Sequence, residues 1–334
     1  MDHPSSAMST VNASDGLLVE TKKYSDSVRA AALAIGISVI IFGFLGNLIT
    51  IIAVIKTKAL RTGANIFIIS LSVFDMMFVT MILPTLLTAY WNNAWVLGKA
   101  YCNINVIVGT LAIGGNVMSL SGTAVSRYLK IINPKASSLI FGRKLYTAIL
   151  VCSFLSVPVL LLLPAITGVW GTFGYNPHTI DCTFLNDNSG YAPFMMACCI
   201  IIPIMFISFC YLRILCKVCS NRRKIQAARN GNGHQQQSTM REDLRYTGMM
   251  VFIFAVLLLS YAPYFINILM DPYAEDMTMR FVTMALYWPS SCVNPVLYGL
   301  MNRNFRHAFV NIYKQVKELT SVARSEALTN DTDA

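Results

Sequence analysis

Seven stretches of this chain are each long and apolar enough to cross a bilayer: residues 31–55, 65–90, 101–132, 145–166, 191–219, 244–270 and 277–300. A hydrocarbon core about 30 Å thick is spanned by about 20 residues rising about 1.5 Å each. Inside it every backbone polar group must be bonded within the segment, so each stretch is expected to be a helix. The composition agrees. The chain is 55% hydrophobic and 13% charged, against roughly 25% charged in soluble domains. The expected fold is an all-α membrane protein, a seven-transmembrane helix bundle over 31–301. A tail at 1–30 precedes it, and an amphipathic eighth helix at 302–318 and a disordered tail at 319–334 follow.

Charge gives the expected orientation. With the N-terminus outside, every one of the 26 lysines and arginines except Lys22, Lys23, Arg29, Lys99 and Arg280 falls in a cytoplasmic segment. The positive-inside rule then puts the N-terminus out and the C-terminus in, at the plasma membrane. This bias also accounts for the net charge of +10, so nucleic-acid binding is not expected. "MDHPSSAMSTVNA" lacks the apolar core of a cleavable signal peptide, which leaves the first helix as insertion signal. Asn12-Ala13-Ser14 is a glycosylation sequon on the outer side. Phe305, Phe309, Ile312, Tyr313 and Val316 recur at helical spacing among Arg and Lys, as in a helix lying on the inner membrane surface among its lipids. "GVWGTFGYNPHTIDCTF" is readable as a hairpin over the bundle mouth or as plain coil.

Of the nine cysteines, most sit in apolar runs as small core residues. Cys102 and Cys182 lie on the expected outer side, an oxidising compartment, and are expected to form a disulfide. Asp75 lies roughly 15 Å deep, where a carboxylate is a functional hypothesis by default. Asn47, Asn116, Asn294, Ser290 and Ser291 can share its layer. The set suits a structural sodium ion at Asp75, held by oxygen ligands, or a purely structural hydrogen-bond network. No other cofactor is expected.

In the outer half, Tyr261, Tyr264, Phe265 and Ile268 form an i, i+3, i+4, i+7 stripe. Gly109, Ile113, Phe184, Met195, Cys199, Met284 and Trp288 reach a similar depth. Each alone reads equally well as packing; together they outline a ligand cavity between helices. No acid or base is expected deep in this half, which favours an uncharged or lipid-like ligand. Catalysis has no support: the four histidines fall in tails or loops, and no zinc, phosphate-loop or serine-elbow motif occurs. The seventh run has no lysine for a retinal Schiff base.

Gly46-Asn47, Leu71 to Asp75 ("LSVFD"), Trp95 to Gly98 before Cys102, Ser126-Arg127-Tyr128, Pro203 with Tyr211, Pro263, and "NPVLY" from Asn294 through Pro295 to Tyr298 occur in order on the seven runs. In these the chain resembles the rhodopsin-like (class A) G-protein-coupled receptors over nearly its whole length. "DLRYTGMMVFIF", "SYAPYFINIL" and "NPVLYGLMNRNFR" resemble the group of melatonin-like, trapped-in-endoderm, moody and medium-chain fatty-acid receptors. The resemblance implies an extracellular ligand and a heterotrimeric G protein, of the inhibitory type, docking at the inner face. Arg127, Tyr211 and Tyr298 would rearrange there as the sixth helix hinges at Pro263.

The chain departs from that pattern at Ser126, where an acid usually precedes the arginine, at Tyr261, where a tryptophan is usual, and at Leu257. Without an acid at 126, the expected partner of Arg127 is Asp243, and raised basal activity is expected. The alternative reading is a seven-helix binding or scavenger protein with weak or no G-protein signalling.

Overall fold

The computed structural model describes residues 23–142, 144–177, 179–185, 190–227, 234–271 and 276–332. Asn12 and the side chain of Asp243 lie outside the described residues. The seven expected spans are all helical, with ends shifted by a few residues where caps decide them. Span one runs Asp26–Lys56, its N-terminus capped by the Ser25 hydroxyl accepting from the Val28 N–H. Span three is Gly98–Ile132, span four Lys144–Ile166, and span six His234–Met270. Span six therefore starts ten residues earlier than its apolar run. Apolarity marks where lipid begins, not where helical hydrogen bonding begins.

Spans two and five each contain one wide turn. Span two is Ile66–Met77, a π turn at Phe78–Ile82, then Leu83–Asn92. Span five is Tyr191–Met196, a π turn at Ala197–Ile201, then Ile202–Ala227. A proline follows each wide turn. Pro84 and Pro203 cannot donate to the carbonyls four residues earlier, at Thr80 and Cys199, and both carbonyls fall inside the π turns. Span seven is broken outright, into Met277–Tyr287 and Ser290–Met301, at Trp288-Pro289. Among the described residues six helices are continuous and apolar enough to count as spans on length and composition alone; the break at Trp288-Pro289 leaves span seven out of that count.

The chain between spans four and five is a hairpin, β1 (Phe173–Asn176) pairing antiparallel with β2 (Asp181–Phe184), Tyr175 opposite Cys182. After span seven, helix eight runs Arg303–Thr332. The expected disordered tail at 319–334 is therefore helical over its described part; no glycine or proline stops the helix after Arg303. Phe305 and Ala308 on its first turns are buried in the bundle core.

Candidate functional site

The polar layer sits where spans one, two, three and seven meet. Asp75 Oδ1 accepts from Asn116 Nδ2 at 2.6 Å, and Oδ2 accepts from Asn294 Nδ2 at 2.9 Å. Spans two, three and seven are thus joined through one buried carboxylate. Asn47 takes another part. Its amide donates to the Ser291 carbonyl at 2.8 Å and to Gly43 at 2.9 Å, tying span one to span seven rather than to Asp75. Gly46 makes that approach possible, since a Cβ there would lie 3.0 Å from the Pro295 ring. Ser290 lines a void of about 10 Å³ beside Asn116 and Asn294, about what one water needs.

Toward one end of the bundle lies Arg127, itself buried. Ser126, also buried, donates to the Thr123 carbonyl at 2.7 Å, one turn back along its own helix. Tyr211 packs on Phe254 of span six at 5.8 Å between ring centroids, and Tyr298 stacks on Phe305 of helix eight at 5.0 Å. Tyr128 lies against the same core. The three switch candidates thus sit at the junctions of span three, of spans five and six, and of span seven with helix eight.

At the opposite end Cys102 and Cys182 are bonded, their Cα atoms 5.4 Å apart, which fastens β2 to the start of span three. Beneath the hairpin the expected pocket residues fall on two walls. Phe184, Met195, Cys199 and Ile113 pack with Tyr191 and Leu162, between spans three, four and five. Met284 and Trp288 face span two: Tyr90 donates to the Met284 sulfur at 3.2 Å, and its ring meets Trp288 edge-on at 5.9 Å. Between the walls stand Tyr261, edge-on to Tyr287 at 4.8 Å, and Tyr264, stacked on Tyr287 at 5.8 Å, with Phe265 beside both. Gly109 faces span two, where a Cβ would lie 3.7 Å from Ile82, so it leaves the pocket. Ile268 is half-buried one turn beyond Tyr264.

Sequence reasoning missed Arg280. Assigned to the outer side near the start of the run 277–300, it is 3% exposed, and it donates to the Asp271 carbonyl at 2.8 Å. Its spacing to Met284 and Tyr287 (i+4, i+7) puts it on the inward face of span seven, a signal present in the sequence. Arg280 also draws Asp181 of β2 electrostatically. Burial nonetheless raises the Asp181 carboxyl above its usual range, against the Thr179 hydroxyl bond and the Arg280 charge. The nearby Tyr24 phenol is raised to about 12, chiefly by burial.

Residues 46–298 match the family described as 7 transmembrane receptor (rhodopsin family). The chain belongs to the rhodopsin-like family of G-protein-coupled receptors. It is 31% identical to melatonin receptor type 1B-B of Danio rerio over 87% of this chain and 85% of the relative. It is 29% identical to protein trapped in endoderm-1 of Drosophila melanogaster over 86% and 79%. Squid rhodopsin shares the fold, with a TM-score of 0.78 at 24% identity over 89% of this chain and 88% of that one. The receptor is placed in the melatonin-receptor group. It is a multi-pass membrane protein, not an enzyme, that binds a ligand and couples to a G protein. The scavenger reading is not favoured.

Proposed function

We propose that the receptor takes an uncharged, lipophilic small molecule between the two walls at the disulfide end and activates an inhibitory-type G protein at the Arg127 end. The N-terminus and hairpin face the outside of the plasma membrane. The carrying observation is the aromatic partition of Tyr261, Tyr264, Phe265 and Tyr287 between two apolar walls. Such surfaces offer π faces and hydroxyls to a ligand; the buried cation of this half, Arg280, donates to the Asp271 carbonyl. A ligand can shift the bundle only by binding one arrangement better than another. Tyr261 touches both the partition and span six near Pro263, so a ligand pressing on it biases that helix.

The test is a G-protein dissociation screen in cells, comparing neutral lipophilic compounds with charged amines and peptides. Agonists are expected in the first set alone, with potency falling at least tenfold in Tyr261→Ala. Activation by charged amines alone would overturn the reading.

Sodium beside Asp75 belongs to the same proposal. The donor set is hard oxygen, as sodium requires: the carboxylate, the Ser290 hydroxyl, and the Asn116 and Asn294 amide oxygens once those amides turn. The void lined by Ser290, Asn116 and Asn294, the two amides that hold Asp75 among them, is the size for one small ion or water. Bound there, the ion would supply positive charge to the buried carboxylate. Replacing sodium with choline should change agonist affinity in the native receptor and leave Asp75→Asn unaffected. Equal affinity in both salts for the native receptor counts against the ion.

A further inference from the structure

Spans five and six touch along only part of their length. Toward the Arg127 end, Ile207, Cys210, Tyr211 and Ile214 join Met250, Ile253, Phe254 and Leu257 in one core. Toward the disulfide end the two helices part, and a groove of about 270 Å³ opens between them. Its walls are Ile200, Ile201, Ile204 and Met205 on one side and Ala262 and Ile266 on the other, with Tyr261 and Phe265 contributing. On span five the lining runs from Met205 into the wide π turn Ala197–Ile201, which carries two of the lining isoleucines.

The groove opens on the face this receptor turns to lipid. Ile201, Met205 and Ile266 are 44%, 66% and 58% exposed. Tyr261, by contrast, is 3% exposed and reaches inward to Tyr287. Two wall residues, Tyr261 and Phe265, therefore belong both to a bilayer-facing recess and to the aromatic partition, and Tyr261 alone of the two reaches Tyr287.

We propose that this groove seats one acyl chain of a bilayer lipid, and that the seated chain acts on the receptor through Tyr261. Three observations choose this occupant. The lining is almost wholly hydrocarbon and thioether, without the polar anchors that orient a soluble ligand. Its mouth lies at bilayer hydrocarbon, where acyl chains are the solvent. The space holds roughly nine groups of about 30 Å³ each, the middle of a fatty chain, whereas a helix from a second receptor is about 10 Å across and cannot enter. A chain lodged there holds spans five and six apart at this end while they remain packed at the other. It fits the arrangement seen here, with spans five and six packed at the Arg127 end, and so favours it. Removing the chain raises basal activity. None of this depends on what the receptor's own ligand is.

The experiment uses purified full-length receptor in phosphatidylcholine nanodiscs doped with a phosphatidylcholine bearing a mid-chain diazirine. After irradiation, labelled peptides are mapped. Labelling around Ile201, Met205 and Ile266 is expected to exceed that around Phe42 and Leu45, equally lipid-exposed on span one, by at least threefold. Ala262→Trp, which fills the groove, should bring the groove signal down to the span-one level and leave span one unchanged. It should also change basal nucleotide exchange at least twofold. Ile266→Trp is a second filling variant, and the labelling of native receptor stands whether or not either variant folds. Even labelling of all lipid-facing helices overturns the seat. Selective labelling with unaltered exchange in both folded variants overturns the action through Tyr261. Receptor-to-receptor crosslinks at the groove would show a second copy there and equally overturn the proposal.

Discussion

Where span three meets span two, the fit is made by glycine against ring: a Cβ at Gly122 would come 2.1 Å from Phe67, and one at Gly115 would come 2.4 Å from Phe74. Where span five meets span six, the contact is made by Ile, Met and Leu side chains with Tyr211 on Phe254 at one end, and a groove opens at the other. The first seam also carries the Asn116–Asp75 hydrogen bond. Small residues let helix backbones close up in lipid, where no hydrophobic force pushes helices together. Flexible side chains across a gap can repack at little cost. The receptor thus has a fixed seam and a movable one, and they meet at span three, which carries Arg127.

The largest effect should come from loading the fixed seam. Gly122→Val puts a branched side chain where even one carbon has no room, and overpacking typically costs about 1–3 kcal/mol. Much of the receptor should fail to reach the surface, and what does should melt early. Met205→Ala, at the mouth of the movable seam, should stay within about 0.5 kcal/mol of native. Thermal unfolding of both in one detergent reads the contrast; equal losses would mean that the seams do not differ in tolerance.

A smaller effect is expected where the two seams share span three. Ser126 spends its hydroxyl on its own helix and brings no charge to Arg127. Ser126→Asp supplies that charge and should lower basal nucleotide exchange by up to tenfold, about 1.4 kcal/mol of bias. Asp243→Ala on span six should raise it. Unchanged basal exchange in both would remove the idea that an ion pair holds the movable seam.

The fixed seam was far more legible in the sequence than the movable one. Asp75, Asn116 and Asn294 are polar atoms in hydrocarbon, and such atoms must find one another. The sequence also signalled the Cys102–Cys182 pair, because both lay on one side of seven countable spans. Met, Ile and Leu on spans five and six carry no comparable instruction, since apolar residues suit lipid and core alike. The wide turns were half legible: Pro84 and Pro203 mark a lost hydrogen bond but not whether the helix kinks or widens. The burial of Arg280 was missed because composition assigns a cation near a helix end to water. Its spacing to Met284 and Tyr287 held the contrary signal. Trp288 and Met284 were legible by depth, but their contact with Tyr90 of span two was not, because helical periodicity gives a face and not the helix that the face meets.

The smallest expected effect lies at the hairpin, bound to span three by its disulfide and facing span seven through charge. Burial raises the Asp181 carboxyl, so the folded receptor holds that proton more tightly than the unfolded chain does. Stability from this group is then complete below the ordinary carboxylate range, near 3.9, and is lost as pH rises through the raised folded value. Acidification through that raised folded value should therefore raise the melting temperature slightly, by no more than roughly 2–4 °C. Asp181→Asn should remove that slope and match the acidified native protein at neutral pH. The competing influence is Arg280, whose charge draws the carboxylate form. If the attraction outweighs burial, the slope reverses, and Asp181→Asn lowers the melting temperature at neutral pH. The sign of one pH titration thus decides whether burial or the charge of Arg280 governs Asp181.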